Sequence, residues 1–225
     1  MIGVFGPNTT NLVKEIPGLD WINDLNYFKF GFGQFLDIEV MVARLSFLGE
    51  AGWELSCRKN DIEKIVNLLI KKNIKPIGLF AQTSMRIEKK FLSYGHDFDS
   101  DTTPSMVFPN KFIQLLKKSK TINDLKLKKL ALNTPKKKLV SLVFEEQNCF
   151  PIGNETVQYE NNIIGITTSA AFGFRINKPV ALAMINFHHY KNFNQVEVTV
   201  GQNIFFAKVI EGAVYDPNGD KMINY

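Results

Sequence analysis

Phe47-Leu48-Gly49-Glu50-Ala51-Gly52-Trp53-Glu54-Leu55 sets two carboxylates on a glycine-flexed connection and places aromatic residues beside them. Upstream, from Phe35 to Phe47, apolar residues mostly alternate with others. Downstream of the Gly49–Gly52 break, Trp53, Leu55 and Cys57 alternate with Glu54 and Ser56. A period of two belongs to strands with one buried face, so the two stretches are predicted to be antiparallel strands joined at the break. The residues by themselves fit a tight hairpin with exposed acids as well as a pair of carboxylates aimed at a ligand.

Working outward, the period changes at Asn60. Ile62, Ile65, Val66 and Leu69 recur at helical spacing, and Asn60 or Asp61 is placed to accept from the free N–H groups of a first turn. This helix is predicted to run to about Lys72. Pro76 and Gly78 break it, and a second helix through Met85, Ile87 and Glu88 is expected to end near Tyr94–Gly95. The stretch Ser119–Lys138, rich in lysine and leucine, with Pro135 before a run of three lysines, reads as a helical connector ending in a linker. Beyond it lie short β-type runs at Leu139–Phe144, Glu155–Tyr159, Ile163–Thr168, Val180–Ile185, Val196–Val200 and Ile204–Ile210, separated by turn residues such as Asn161–Asn162 and Gly201–Gln202. Regularly spaced short strands imply a small antiparallel barrel or sandwich. The expected fold class is therefore α+β: a mixed domain over residues 1–135, then a small antiparallel β-barrel over 136–225.

Composition allows this. The 225 residues are 45% hydrophobic and 22% charged, which permits a real core, and 19 phenylalanines make that core aromatic-rich. The formal charge of +5 is mostly scattered. Its local runs, such as Lys126–Lys128–Lys129, read as solvated surface or as a face that attracts anions, and nucleic acid is not an expected partner. Cys57 and Cys149 are too few and too isolated for a disulfide framework or a zinc site. Met1 is followed by Ile2, Gly3 and Val4 without a basic region or a long apolar run, so no signal peptide, no membrane span and a cytoplasmic location are expected. Gly31-Phe32-Gly33 lacks the third glycine and the βαβ context of a dinucleotide loop. His96, His188 and His189 share no metal-ligand spacing, and no Gly-x-Ser-x-Gly elbow or phosphate loop occurs.

The quoted stretch resembles the Tyr-Thr-Gly-Glu-Asp-Gly-Phe-Glu signature of the glycine-cleavage T-protein (aminomethyltransferase) superfamily, and more closely the Gly-Glu-x-Gly-Trp-Glu form in the folate-binding halves of dimethylglycine and sarcosine dehydrogenases. Downstream, Met85-Arg86-Ile87-Glu88-Lys89 is similar to the family's Leu-Arg-Leu/Ile-Glu-Lys helix. Tyr94-Gly95-His96-Asp97 is similar to its Tyr/Trp-Gly-His-Asp, and Thr102-Thr103-Pro104 to its Asp-Thr-Pro turn. Gly165-Ile166-Thr167-Thr168-Ser169 resembles the Gly-x-Val-Thr-Ser of the C-terminal barrel, and Tyr215-Asp216-Pro217-Asn218-Gly219 the tail of the dehydrogenase branch.

The resemblance implies an incomplete folate-binding, aminomethyltransferase-like domain followed by the barrel, acting in tetrahydrofolate-dependent transfer of an aminomethyl or methyl carbon from a small methylated amine. In the family the second glutamate of the signature binds the pterin, and that position is Glu54. A carboxylate offers two acceptors to the paired N–H donors of the pterin edge. Phe47 and Trp53 are implied as aromatic walls, or as core packing. Three departures accompany the match. Phe47 stands where the T-protein branch has tyrosine. Gln82-Thr83-Ser84 replaces a triplet whose arginine helps to hold folate. Phe5-Gly6-Pro7 resembles a Gln-Gly-Pro that normally lies well inside the folate domain, so the strands before it and the catalytic aspartate have no counterpart, and no catalytic residue can be named. An unpaired edge is accordingly expected along the first strands. Whether the chain is an enzyme is left open by this reading: it acts in a larger assembly with a partner polypeptide or oligomer completing the site, or serves as a non-catalytic ligand-binding module or structural subunit of a sarcosine- or dimethylglycine-oxidising complex.

Overall fold

The computed structural model describes residues 1–108, 135–186 and 194–223. Most of the expected connector, as well as His188 and His189, lies outside the described residues. The chain packs as two compact units, Met1–Lys89 with Asp216–Tyr225, and Lys90–Tyr215.

The first unit is built on an antiparallel sheet of β1 (Ile2–Phe5), β2 (Phe30–Phe35), β3 (Ile38–Ala43) and β4 (Gly52–Ser56), in the spatial order β1-β4-β3-β2. Alternation decides which face is covered. Val4, Val40, Val42, Trp53 and Leu55 point to one side, where they meet Val13 of α1 (Thr9–Glu15) and Ile65 and Leu69 of α2 (Ile62–Lys71). Each such aliphatic side chain, once buried, contributes roughly 1.5–3 kcal/mol, so this single face carries the unit's packing. The opposite face and the outer edge of β1 have no strand paired to them among the described residues.

The strand expected over Phe35–Phe47 is the second arm of a hairpin. Leu36 adopts a left-handed φ of 57°, which reverses the chain between β2 and β3. The antiparallel pairing of this arm with β4 is as predicted, with Met41 opposite Ser56 and Ala43 opposite Glu54. The first predicted helix is α2, but a 3-10 turn, Lys59–Asp61, leads into it, and the Asp61 side chain makes no capping hydrogen bond. The second is α3 (Leu79–Glu88), which stops short of Tyr94–Gly95 because Lys90 takes a φ of 56° that no right-handed helix continues through. α1 and the 3-10 turn Asp20–Asp24 were not apparent in the sequence.

In the second unit, six strands close into an antiparallel barrel: β5 (Lys137–Phe144), β6 (Thr156–Tyr159), β7 (Asn162–Gly173), β8 (Lys178–Asn186), β9 (Gln195–Val200) and β10 (Asn203–Ile210), ordered β10-β5-β8-β7-β6-β9. All six coincide with the short runs read from the sequence. Val140, Leu142, Phe144, Ile164, Ala183, Ile185 and Val198 fill the interior. Glu160 and Asn161, both with positive φ, form the tight β6–β7 turn, a conformation that suits the right-handed twist of a hairpin. A short helix, α4 (Pro104–Val107), starts with proline in its first turn.

Candidate functional site

Directly paired residues of antiparallel strands share a face. The uncovered face of the four-stranded sheet therefore carries the row Phe30, Ala43, Glu54, Gly3, the row Phe32, Met41, Ser56, and the pair Phe5 and Gly52. Phe30 and Phe32 are 63% and 75% exposed, their rings edge-on at 6.0 Å. Glu54 stands half-buried between the two smallest neighbours of its row, Gly3 and Ala43. Among the described residues none hydrogen-bonds or ion-pairs with its carboxylate.

Beside Glu54 the Phe5 ring lies flat across Gly3 and Gly52. A Cβ on either glycine would fall well inside contact with that ring. The two glycines thus form a cradle that turns Phe5 into an aromatic floor next to the carboxylate. Phe5 and Glu54 line a cavity of about 780 Å3 that flanks the free edge of β1, a size within the range of small-molecule sites. Phe47, Leu48 and Glu50 wall it from the β3–β4 connection, Leu69 and Ile70 from α2, and Gln82 and Met85 from α3. Val66 and Ile70 of α2, at 36% and 52% exposed, leave its apolar side open to solvent.

Of the residues singled out in the sequence, Glu54 and Phe47 come together at this cavity. Trp53 does not join them. It points the other way on β4, 3% exposed in the core, and its indole N–H has no partner there. Glu50 and Gln82 also line the cavity, whereas Phe5 was missed as a wall. The signal for it was a glycine two residues before an aromatic on one strand, but the second half of the cradle, Gly52, is recognisable only once the β1–β4 register is known. No group of three or more histidine, cysteine or acidic side chains among the described residues is placed to hold a metal ion.

Comparison with known families completes the picture. Residues 1–117 match the GCVT N-terminal domain and residues 137–216 the glycine cleavage T-protein C-terminal barrel domain. The chain belongs to the glycine cleavage T-protein family. It is similar to the mitochondrial dimethylglycine dehydrogenase of Rattus norvegicus, at 31% identity over 94% of this chain and 25% of that protein. It is also similar to the aminomethyltransferase of Flavobacterium psychrophilum, at 27% identity over 96% of this chain and 60% of that one. The fold is shared with the glycine cleavage system aminomethyltransferase T of Bartonella henselae, with a TM-score of 0.77, 20% identity, and coverage of 96% of this chain and 57% of that structure. The chain thus spans a quarter to about three-fifths of the length of these relatives.

Several of the T-protein motifs serve architecture. Asp97 accepts from the Ser93 backbone N–H at 2.8 Å and from the Thr168 hydroxyl at 2.6 Å, which joins the Tyr-Gly-His-Asp turn to β7 where its register shifts between Thr167 and Ser169. Glu155, also buried, accepts from the Ile152 and Gly153 backbone N–H groups and from the Thr167 hydroxyl. These carboxylates are spoken for; Glu54 is not.

Proposed function

We propose that this chain binds tetrahydrofolate through Glu54 and takes part in folate-dependent one-carbon transfer from a small methylated amine, with Phe5 and Phe47 against the planar part of the ligand. The observation that carries this reading is the unpartnered, half-buried Glu54 carboxylate on an uncovered sheet face, beside an aromatic floor that two glycines make possible. A carboxylate there presents two acceptors to a pair of N–H donors on one edge of a flat heterocycle, beside the apolar walls of the cavity. When bound, tetrahydrofolate would supply the nitrogen that accepts the carbon. The residues named here hold and orient it. Transfer itself is proposed for the chain together with a partner polypeptide lying along the free edge of β1, where main-chain groups are available for strand addition, and binding for the chain alone. Residues 1–135 and 136–225 are proposed as the folate and barrel domains of that assembly.

Calorimetric titration with tetrahydrofolate tests the reading. Glu54→Gln turns one acceptor into a donor facing the ligand's N–H pair, and a mispaired buried group costs about 1–3 kcal/mol, so affinity should fall by roughly 5- to 150-fold. Equal affinities for wild type and variant would remove Glu54 from the site.

A further inference from the structure

The cavity wall formed by Ser46–Glu50 is anchored from an unexpected direction, the C-terminal segment of the chain. Gly49 sits at φ 78°, and its Cα rests on the aliphatic stem of Lys89, so that a Cβ would stand 2.8 Å from Lys89 Cγ and Cδ. Lys89 follows the end of α3 and is itself held. Its ammonium lies 2.6 Å from Asp216 Oδ2 and donates to the Asp216 main-chain carbonyl as well, with the two side chains 4% and 7% exposed. The same carboxylate accepts the backbone N–H groups of Asp220 at 3.0 Å and Lys221 at 3.2 Å, starting the terminal helix Asp220–Ile223. A second arm leaves that helix. Met222, 7% exposed, receives the Tyr27 hydroxyl at 3.8 Å, and the Tyr27 oxygen is in turn hydrogen-bonded by the Ser46 backbone. Ser46 Oγ then accepts from the Leu48 and Gly49 backbone N–H groups at 3.3 and 3.1 Å.

Both arms end on the turn that supplies Phe47, Leu48 and Glu50 to the cavity. We propose that Asp216 and Lys89 are positioning residues for this site, with the segment Asp216–Ile223 acting as a strap that fixes the Ser46–Glu50 wall opposite Glu54. This rests on the reading of Glu54 and its cavity as a folate site. A buried ion pair adds little net stability over apolar residues of the same volume. What it adds is direction, because an ammonium that must meet both the carboxylate and the carbonyl of Asp216 fixes where its own stem lies, and that stem sets the height of Gly49.

The test compares the wild-type 225-residue chain with Asp216→Asn, which removes the charge, and Asp216→Glu, which restores it one methylene further out. Hydrogen exchange of the Leu48 and Gly49 amides reads the wall directly and needs no ligand, since local opening sets the exchange rate. The expected result is exchange faster by about tenfold in Asp216→Asn, with partial recovery in Asp216→Glu, and tetrahydrofolate affinity lowered by a similar factor in the same order. A general loss of stability would instead speed exchange at amides throughout the unit. Tyr27→Phe removes only the hydroxyl of the second arm and should show the same effects more weakly; it serves if Asp216→Asn does not fold. Unchanged exchange at Leu48 and Gly49 in a folded variant overturns the strap. Faster exchange with unchanged affinity in both Asp216→Asn and Glu54→Gln leaves the strap standing and overturns the folate site.

Discussion

The barrel and the four-stranded sheet are both antiparallel, yet they finish their packing differently. In the barrel each strand has a partner on both sides and the interior is filled by side chains such as Leu142, Phe144 and Ile185, none of them exposed. Closure removes the edges, and apolar side chains pack the interior. Among the described residues, the sheet covers one face with α1 and α2 and leaves the other to Phe30, Phe32, Met41 and Glu54, while β1 and β2 end at open edges. A protein keeps aromatic surface and an unpaired carboxylate uncovered at a cost, and such patches mark places where something else binds. The difference is why the ligand site is proposed in the unit whose packing is unfinished.

Substitution of equivalent aromatics should expose this contrast most strongly. Phe144→Ala empties a filled core and is expected to cost about 3–5 kcal/mol, whereas Phe32→Ser on the uncovered face should stay within about 0.5 kcal/mol of wild type. Urea unfolding followed by circular dichroism measures both, and a large loss for Phe32→Ser would mean that the face is not open. A smaller effect probes the packed face of the sheet. A Cβ on Gly33 would intrude on the Trp21 indole, so Gly33→Ala should cost roughly 1–3 kcal/mol by overpacking and shift the tryptophan emission. Gly212→Ala, with nothing within 4 Å of the added carbon, should leave both unchanged.

The same contrast explains what could be read in the sequence. The barrel strands are short runs of β-type residues punctuated by residues that tolerate positive φ, so all six were legible, apart from ends such as the extension of β7 to Gly173. β2 was not, because its pattern is inverted. Its phenylalanines at 30 and 32 face outward, and two of its inward positions are the half-buried Gly31 and Gly33, whose missing volume is filled by Trp21 from another part of the chain. Glu54 was legible because the family signature surrounds it. Phe5 was not, since its cradle needs Gly52 brought alongside by strand pairing, and Asp216 meets Lys89 across a sequence separation of 127 residues. Local pattern reveals what neighbours in sequence decide; contacts made by register and by a returning tail appear only in the folded chain.

The smallest predicted effect concerns pH and has opposite signs in the two units. Burial pushes the Lys90 ammonium down to about 8 from its ordinary 10.5, Lys138 nearby lowers it further, and Glu211 opposes both. In the unfolded chain Lys90 keeps its proton to about pH 10. Between about pH 8 and pH 10, therefore, the unfolded state binds more protons than the folded one, and the barrel unit gains stability as pH rises; below about pH 8 both states are protonated and the full penalty of burying the charge is present. In the sheet unit burial raises the Tyr27 phenol above its ordinary 10.0, against the lowering effect of the Ser46 backbone hydrogen bond. That group leaves stability untouched below pH 10 and erodes it above, where the unfolded phenol ionises first. Tyr159 of the barrel is raised as well, by burial ahead of Glu160, and erodes stability above pH 10, where the Lys90 gain is complete, so the clean window is pH 8–10. Urea midpoints at pH 7.5, 8.5 and 9.5, reported separately by a barrel probe and by tryptophan emission from the sheet, should rise with pH for the first and stay level for the second. Lys90→Met should abolish the rise. An equal rise in the variant would assign the slope to another group and remove Lys90 as its cause.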